Sequence, residues 1–147
     1  MLDKSKIGHL FSSFTTDVEK GRLKFFAKSI NETNPVYTDE VVAIAEGYKA
    51  LPAPPTFAFS LDMEGPEFLP VIDLLNLNIA KILHGSQDFE YLGQIYAGDK
   101  ITVSSKLKNI FDKKNGALEF VVMETSYSNQ NNDLVAKANQ TLVYRNA

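Results

Sequence analysis

The chain has 147 residues, 18 acidic against 15 basic, and a formal net charge of -3, so charge gives neither nucleic acid nor an anionic membrane a reason to bind it. That length suits one domain, 1–147, around one core and is too short for a duplicated two-domain arrangement. Cysteine is absent, which excludes protein disulfides and cysteine catalysis. No apolar run follows Met1-Leu2 and no stretch reaches membrane-spanning length, so a soluble, cytoplasmic protein is the simplest expectation.

In chain order, residues 18–30 place Leu23, Phe26, Ala27 and Ile30 at helical spacing, with Gly21 near the start. This is a packing stripe, Phe26 included. Asn34-Pro35 signals a turn, because proline fixes its own φ and disfavours the α region for the residue before it. Thr38 is then expected to cap a helix from Asp39 through Val41, Val42, Ile44 and Ala45, with Gly47 as the glycine that ends it. Pro52-Ala53-Pro54-Pro55 lacks the amide donors of a central strand. Thr56 is expected to cap a short turn into Phe57, Phe59 and Leu61, closed by Gly65-Pro66, and a further helix to follow over about Glu67 to Leu75.

The second half has the period of strands. Leu83 to Tyr91 reads as a strand interrupted or edged by Gly85, with Gln87, Phe89 and Tyr91 on one face. Ile101, Val103, Ser105 and Leu107 alternate along the next. The polar turn Lys113-Lys114-Asn115-Gly116 leads into Leu118, Phe120 and Val122, Asn115-Gly116 being a tight-turn pair that tolerates positive φ. A turn at Asn129-Gln130-Asn131-Asn132 precedes Leu134-Val135-Ala136, and Thr141-Leu142-Val143-Tyr144 completes the last strand. Helices followed by antiparallel strands make this an α+β protein.

Several segments together carry a family resemblance: Phe25-Phe26-Ala27-Lys28-Ser29-Ile30, Asn34-Pro35-Val36-Tyr37-Thr38-Asp39, Gly47-Tyr48, Ala53-Pro54-Pro55-Thr56-Phe57, Leu83-His84-Gly85-Ser86-Gln87-Asp88-Phe89 and Ala97-Gly98-Asp99-Lys100. In this order, over most of its length, the chain resembles the N-terminal-type MaoC-like dehydratase domain. That resemblance implies a hot-dog fold, a curved antiparallel sheet wrapped around a central helical segment. It implies substrates carried as thioesters by coenzyme A or an acyl carrier protein in fatty acid metabolism, and reversible hydration across the Cα–Cβ bond. It also implies pairing, as a homo- or hetero-oligomer, with another hot-dog subunit, since pairing continues the sheet and completes an acyl tunnel.

Catalytic members of the wider family carry Asp-x-Asn-Pro-x-His-x-Asp in the corresponding loop. Here Glu32 stands for the aspartate and Tyr37 for the histidine, while Asn34, Pro35 and Asp39 match. A neutral imidazole moves protons near neutral pH, whereas a phenol stays protonated and is a poor unassisted base. The resemblance therefore points to an accessory, substrate-binding subunit of an enoyl-thioester hydratase or 3-hydroxyacyl-thioester dehydratase. Two alternatives stay open: a competent homodimeric hydratase with Glu32 as a substituted acid/base and Tyr37 orienting substrate, and a noncatalytic acyl-thioester-binding or scaffold protein. Asn34, Tyr37, Pro54, Pro55 and Thr56 are the candidates for the substrate entrance, and His84 and Gln87 for structural support or the subunit boundary. His9 and His84 lack the spacing of a metal site, and Gly98-Asp99 is a turn rather than a nucleotide loop, so neither metal nor redox cofactor is expected.

Overall fold

The computed structural model describes residues 1–67 and 69–146. Five strands, β1 (Phe14–Asp17), β2 (Ile82–Tyr91), β3 (Lys100–Lys113), β4 (Leu118–Ser128) and β5 (Leu134–Arg145), form one antiparallel sheet in the order β1-β3-β4-β5-β2. Among the described residues four short α-helices accompany it: α1 (Lys20–Ser29), α2 (Glu40–Ala45), α3 (Ala58–Asp62) and α4 (Val71–Leu74). The curved sheet wraps the central helical segment Pro55–Asp62, giving the α+β hot-dog fold. Phe57, Ala58 and Leu61 of that segment are buried in one cluster with Ile101, Val103 and Tyr127 of the sheet. Val71 and Leu75 pack in a second cluster against Leu107, Val121 and Leu142.

Strand β4 shows most directly how the sequence sets the two faces. Its alternation buries Glu119, Val121, Met123, Thr125 and Tyr127 on the concave side, as a period of two requires. Leu118, Phe120 and Val122, the run legible in the sequence, occupy the opposite, half-buried face. There Phe120 stacks on its cross-strand partner Phe111 with centroids 4.7 Å apart, a pairing that stabilises the ladder from outside. Glu119 is wholly buried yet satisfied: it accepts from the Leu2 amide at 2.6 Å and the Asn146 side-chain amide at 2.7 Å. One carboxylate thus ties both ends of the described chain to β4.

Other boundaries differ from expectation for local reasons. Val18 precedes α1 and lies in the core, held by backbone bonds with Asp99 and Gly98 at 2.9 and 2.8 Å. Within α1, Leu23 and Ala27 are buried, whereas Ile30 lies past the helix and is exposed. The cap of α2 is Asp39, not Thr38: its carboxylate accepts from the Val41 and Val42 amides. Thr56 sits inside a 3-10 turn, Pro55–Phe57, that runs into α3, and makes no capping bond. The expected helix over Glu67–Leu75 shrinks to α4, since Leu69 takes the left-handed region at φ 48° and Pro70 then starts the first turn; Phe68, part of that expectation, lies outside the described residues.

Strand β3 extends well past Leu107. A bulge between Leu107 and Asn109 shifts the register, so the next buried residue is Ile110, and the sequence alternation breaks where the strand continues. The two runs expected in residues 134–144 are one strand, β5, paired with β4 along its length. In β2 the interruption at Gly85 is a bulge between His84 and Ser86, and a Cβ at Gly85 would stand 2.8 Å from Val143 Cγ2.

Candidate functional site

The loop from Asn31 to Asp39 is held by its own polar side chains. Asn31, at φ 55°, ends α1: its amide bonds the Lys28 carbonyl and the Glu32 amide bonds that of Ala27, both at 3.2 Å or less. This paired arrangement closes a helix end. Gly47 and Tyr48 repeat it after α2, bonding Ile44 and Ala43 at 3.0 Å. Between the two ends, Glu32 Oε1 accepts from the Asn34 amide at 2.8 Å, and Asn34 Oδ1 accepts from the Val36 amide at 3.2 Å. The carboxylate, the carboxamide and the Asp39 cap thus all serve the loop's backbone.

Tyr37 is half-buried beside this network. Burial, reinforced by Tyr48 and Glu32 nearby, pushes its hydroxyl above the ordinary phenol range. At neutral pH Tyr37 is consequently a hydrogen-bond donor or acceptor and not a base.

The other expected positions lie elsewhere. Pro52 forms a bridge to Tyr96, and the Ala53 amide bonds the Ile95 carbonyl at 2.8 Å, which lays this segment along residues 95–97. Pro54 and Pro55 wall a cleft of about 350 Å³, mouth included, with Tyr91, Gln94 and Ala136. Thr56, next to it, is exposed. His84 is exposed on β2; its Nε2 lies 3.3 Å from Gln87 Oε1 and its ring 5.8 Å from that of Phe59. Gln87 Nε2 is buried with no hydrogen-bond partner among the described residues. The positions thus fall into three groups: the loop of Glu32, Asn34 and Tyr37, the proline cleft, and the β2 bulge.

A feature the sequence reading missed lies between α3 and the concave face of the sheet. A cavity of about 740 Å³, open mouth included, has walls of Phe11, Phe14, Phe59, Met63, Val103 and Met123. Among these apolar groups stands Asp62, whose Oδ1 accepts from the Tyr127 hydroxyl at 2.8 Å. Burial pushes the Asp62 carboxyl up to about 6, outweighing the Tyr127 hydrogen bond, which acts in the opposite direction. Burial and the facing Asp62 in turn drive the Tyr127 hydroxyl far above the phenol range. No motif marks either residue. Asp62 ends an otherwise apolar turn, and Tyr127 reads as one more aromatic in a strand. Glu32, Asn34 and Tyr37 do not line this cavity.

A sequence profile of the family described as "FAS1-like, dehydratase domain region" matches residues 5–138. The chain belongs to this family. It is 37% identical over 111 residues to a UPF0336 protein of Streptomyces avermitilis, covering 74% of this chain and 73% of that one. A UPF0336 protein of Streptomyces griseus is 32% identical over 99% of this chain and 97% of its own length. Among solved structures, a chain of the C-terminally truncated HadBC (3R-hydroxyacyl-ACP dehydratase) complex from Mycobacterium tuberculosis superposes with a TM-score of 0.78 at 24% identity, over 93% of this chain and 96% of that one. A MaoC-like dehydratase gives 0.82 at 20% identity, over 97% of this chain and 43% of that one. These likenesses establish the MaoC-like hot-dog fold. Among the described residues, no group of three or more His, Asp or Glu side chains is placed to hold a metal ion, and no helix is long and apolar enough to cross a membrane.

Proposed function

We propose that the chain is the accessory, substrate-binding subunit of an enoyl-thioester hydratase or 3-hydroxyacyl-thioester dehydratase. In this reading residues 1–147 work as one hot-dog domain in the cytoplasm, without a redox cofactor or metal. The domain pairs with a second hot-dog subunit that supplies the Asp/His loop, and the substrate arrives on coenzyme A or an acyl carrier protein. The observation that carries the proposal is the pairing of an apolar cavity with a loop committed to its own backbone. One oxygen of the Glu32 carboxylate accepts from the Asn34 amide, and Tyr37 holds its proton at neutral pH. In this reading Asn34, Tyr37 and the Pro54-Pro55-Thr56 turn, which do not line that cavity, shape the substrate entrance outside it, while His84 and Gln87 support the boundary on β2.

Two further features favour pairing. Among the described residues strand β2 bonds only β5 and leaves its other edge open, and Leu83 and Tyr91 along it, with Leu92 just past its end, are about half exposed. An open edge with apolar side chains is a template for another strand. The name of the HadBC neighbour describes a dehydratase made as a complex, and that of ChsH1-ChsH2, with a TM-score of 0.72, also describes a complex.

The test is an initial-rate comparison. This chain, a hot-dog subunit with an intact Asp/His loop, and the reconstituted mixture are each given 3-hydroxyacyl and enoyl thioesters, with complex formation checked by gel filtration. The mixture is expected to turn over far faster than this chain alone. Efficient turnover by the isolated chain, unchanged by the partner, would sink the accessory reading and favour the homodimeric hydratase.

A further inference from the structure

The cavity beneath α3 is apolar around its walls and polar across its floor. On the concave face of the sheet, Ser105 Oγ and Thr125 Oγ1 stand 2.9 Å apart across β3 and β4, and Gln140 of β5 lines the same space. Asp62 enters from α3, one carboxylate oxygen occupied by the Tyr127 hydroxyl. Asp62 lines the cavity, and its other oxygen has no partner among the described residues. A plain alkyl chain laid here would strip water from that oxygen and return nothing, which is the expensive way to bury a polar group.

We propose that this cavity selects acyl chains that carry a hydroxyl group part-way along their length, with Asp62 accepting that hydroxyl and Tyr127 holding the carboxylate in place. The inference rests on the reading of the cavity as the acyl site. Asp62 is then a specificity-determining residue that touches the substrate tail, remote from the thioester. The ligand class follows from the chemistry of the floor. An ionised carboxylate only accepts, so it rewards a donor on the chain, and a hydroxyl is the donor that costs an acyl chain least to carry into an apolar tunnel. Sites built to bond a substrate hydroxyl reject the analogue that lacks it, because their own polar group is left unpaired.

The experiment measures binding of N-acetylcysteamine thioesters to the full chain at neutral pH, by displacement of a fluorescent fatty acid. The ligands are the dodecanoyl thioester and its singly hydroxylated isomers, the hydroxyl moved along the chain. One isomer is expected to bind about tenfold or more tighter than the plain chain, the margin of a hydrogen bond to a charged group. Asp62→Leu should abolish that preference and improve binding of the plain chain. Should the leucine variant fail to fold, Asp62→Asn should cut the preference severalfold, since a neutral acceptor is weaker than a charged one. Equal binding of all isomers to the native protein overturns the proposal while leaving the acyl site standing, as does a preference that survives either substitution in folded protein. Failure of every thioester to displace the probe overturns the acyl-site reading itself, and this inference with it.

Discussion

Replacing Asp62 by asparagine isolates the energetics of the carboxyl in the cavity. The folded protein raises this group from 3.8 to about 6 because burial disfavours its charge. Its protonated form is therefore favoured in the fold, and the stability it contributes is fully present below about pH 4 and lost as pH rises through about 6. A difference of about two units corresponds to about 3 kcal/mol of penalty at neutral pH that an amide, which never ionises, does not suffer. The substituted carboxamide would keep an oxygen for the Tyr127 hydroxyl at nearly the same volume. Urea unfolding of both proteins at a series of pH values should give nearly equal stabilities at about pH 3 and an advantage for Asp62→Asn that grows to about 2–3 kcal/mol above about pH 6, then levels off. The subtraction removes every other titrating group. A pH-independent difference, or a native protein more stable than the variant at neutral pH, would refute the argument that burial dominates this site.

Glu119→Ala should cost about 2–3 kcal/mol in urea unfolding, because it leaves the Leu2 amide and the Asn146 side chain without their shared acceptor; a loss below about 0.5 kcal/mol would mean that the ends of the chain do not depend on it. Asp39→Ala should cost about 1 kcal/mol by removing the α2 cap, whereas Thr38→Ala should change stability by only a few tenths of that; the reverse order would restore Thr38 as the cap. Tyr37→Phe should leave the melting temperature near that of the native chain while weakening thioester binding in the mixed complex, and unchanged binding and turnover would exclude a direct polar role for the hydroxyl. Glu32→Gln in the isolated chain should change an already low rate little; a substantial native rate that falls on substitution would return Glu32 to catalysis.

The fold was legible in the sequence wherever a local signal had one meaning. Gly47 ends α2 with the paired bonds expected of a C-terminal glycine, Asn115-Gly116 turns β3 into β4 at positive φ, and Gly85 marks a bulge. Legibility failed where tertiary context chose between equal local options. Asp39 and Thr38 are both good caps, and only the path of the chain out of the Pro35–Tyr37 turn presents Asp39 to the free amides. Leu118, Phe120 and Val122 make the more apolar alternation at the start of β4, but it runs on into Glu124, Ser126 and Ser128, and the sheet buries the Glu119–Tyr127 alternation instead. Glu119 can be buried there because residues from the far ends of the chain satisfy it, and a pattern confined to β4 carries no sign of partners that far away.

The candidate site divides along the same line. The loop around Asn34 was readable because its polar side chains bond amides two or three positions away, and those bonds explain its spacing without reference to a substrate. Such bonds hold a turn whether or not chemistry happens beside it. Asp62 and Tyr127 stand 65 residues apart and meet only because α3 lies under the curve of the sheet. Their pairing is the reverse case: among the described residues it satisfies no backbone amide and caps no helix. One Asp62 oxygen has a structural task, satisfying the buried Tyr127 hydroxyl and tying α3 to β4, so it is the second oxygen, unpartnered among the described residues, that the proposed ligand hydroxyl accounts for.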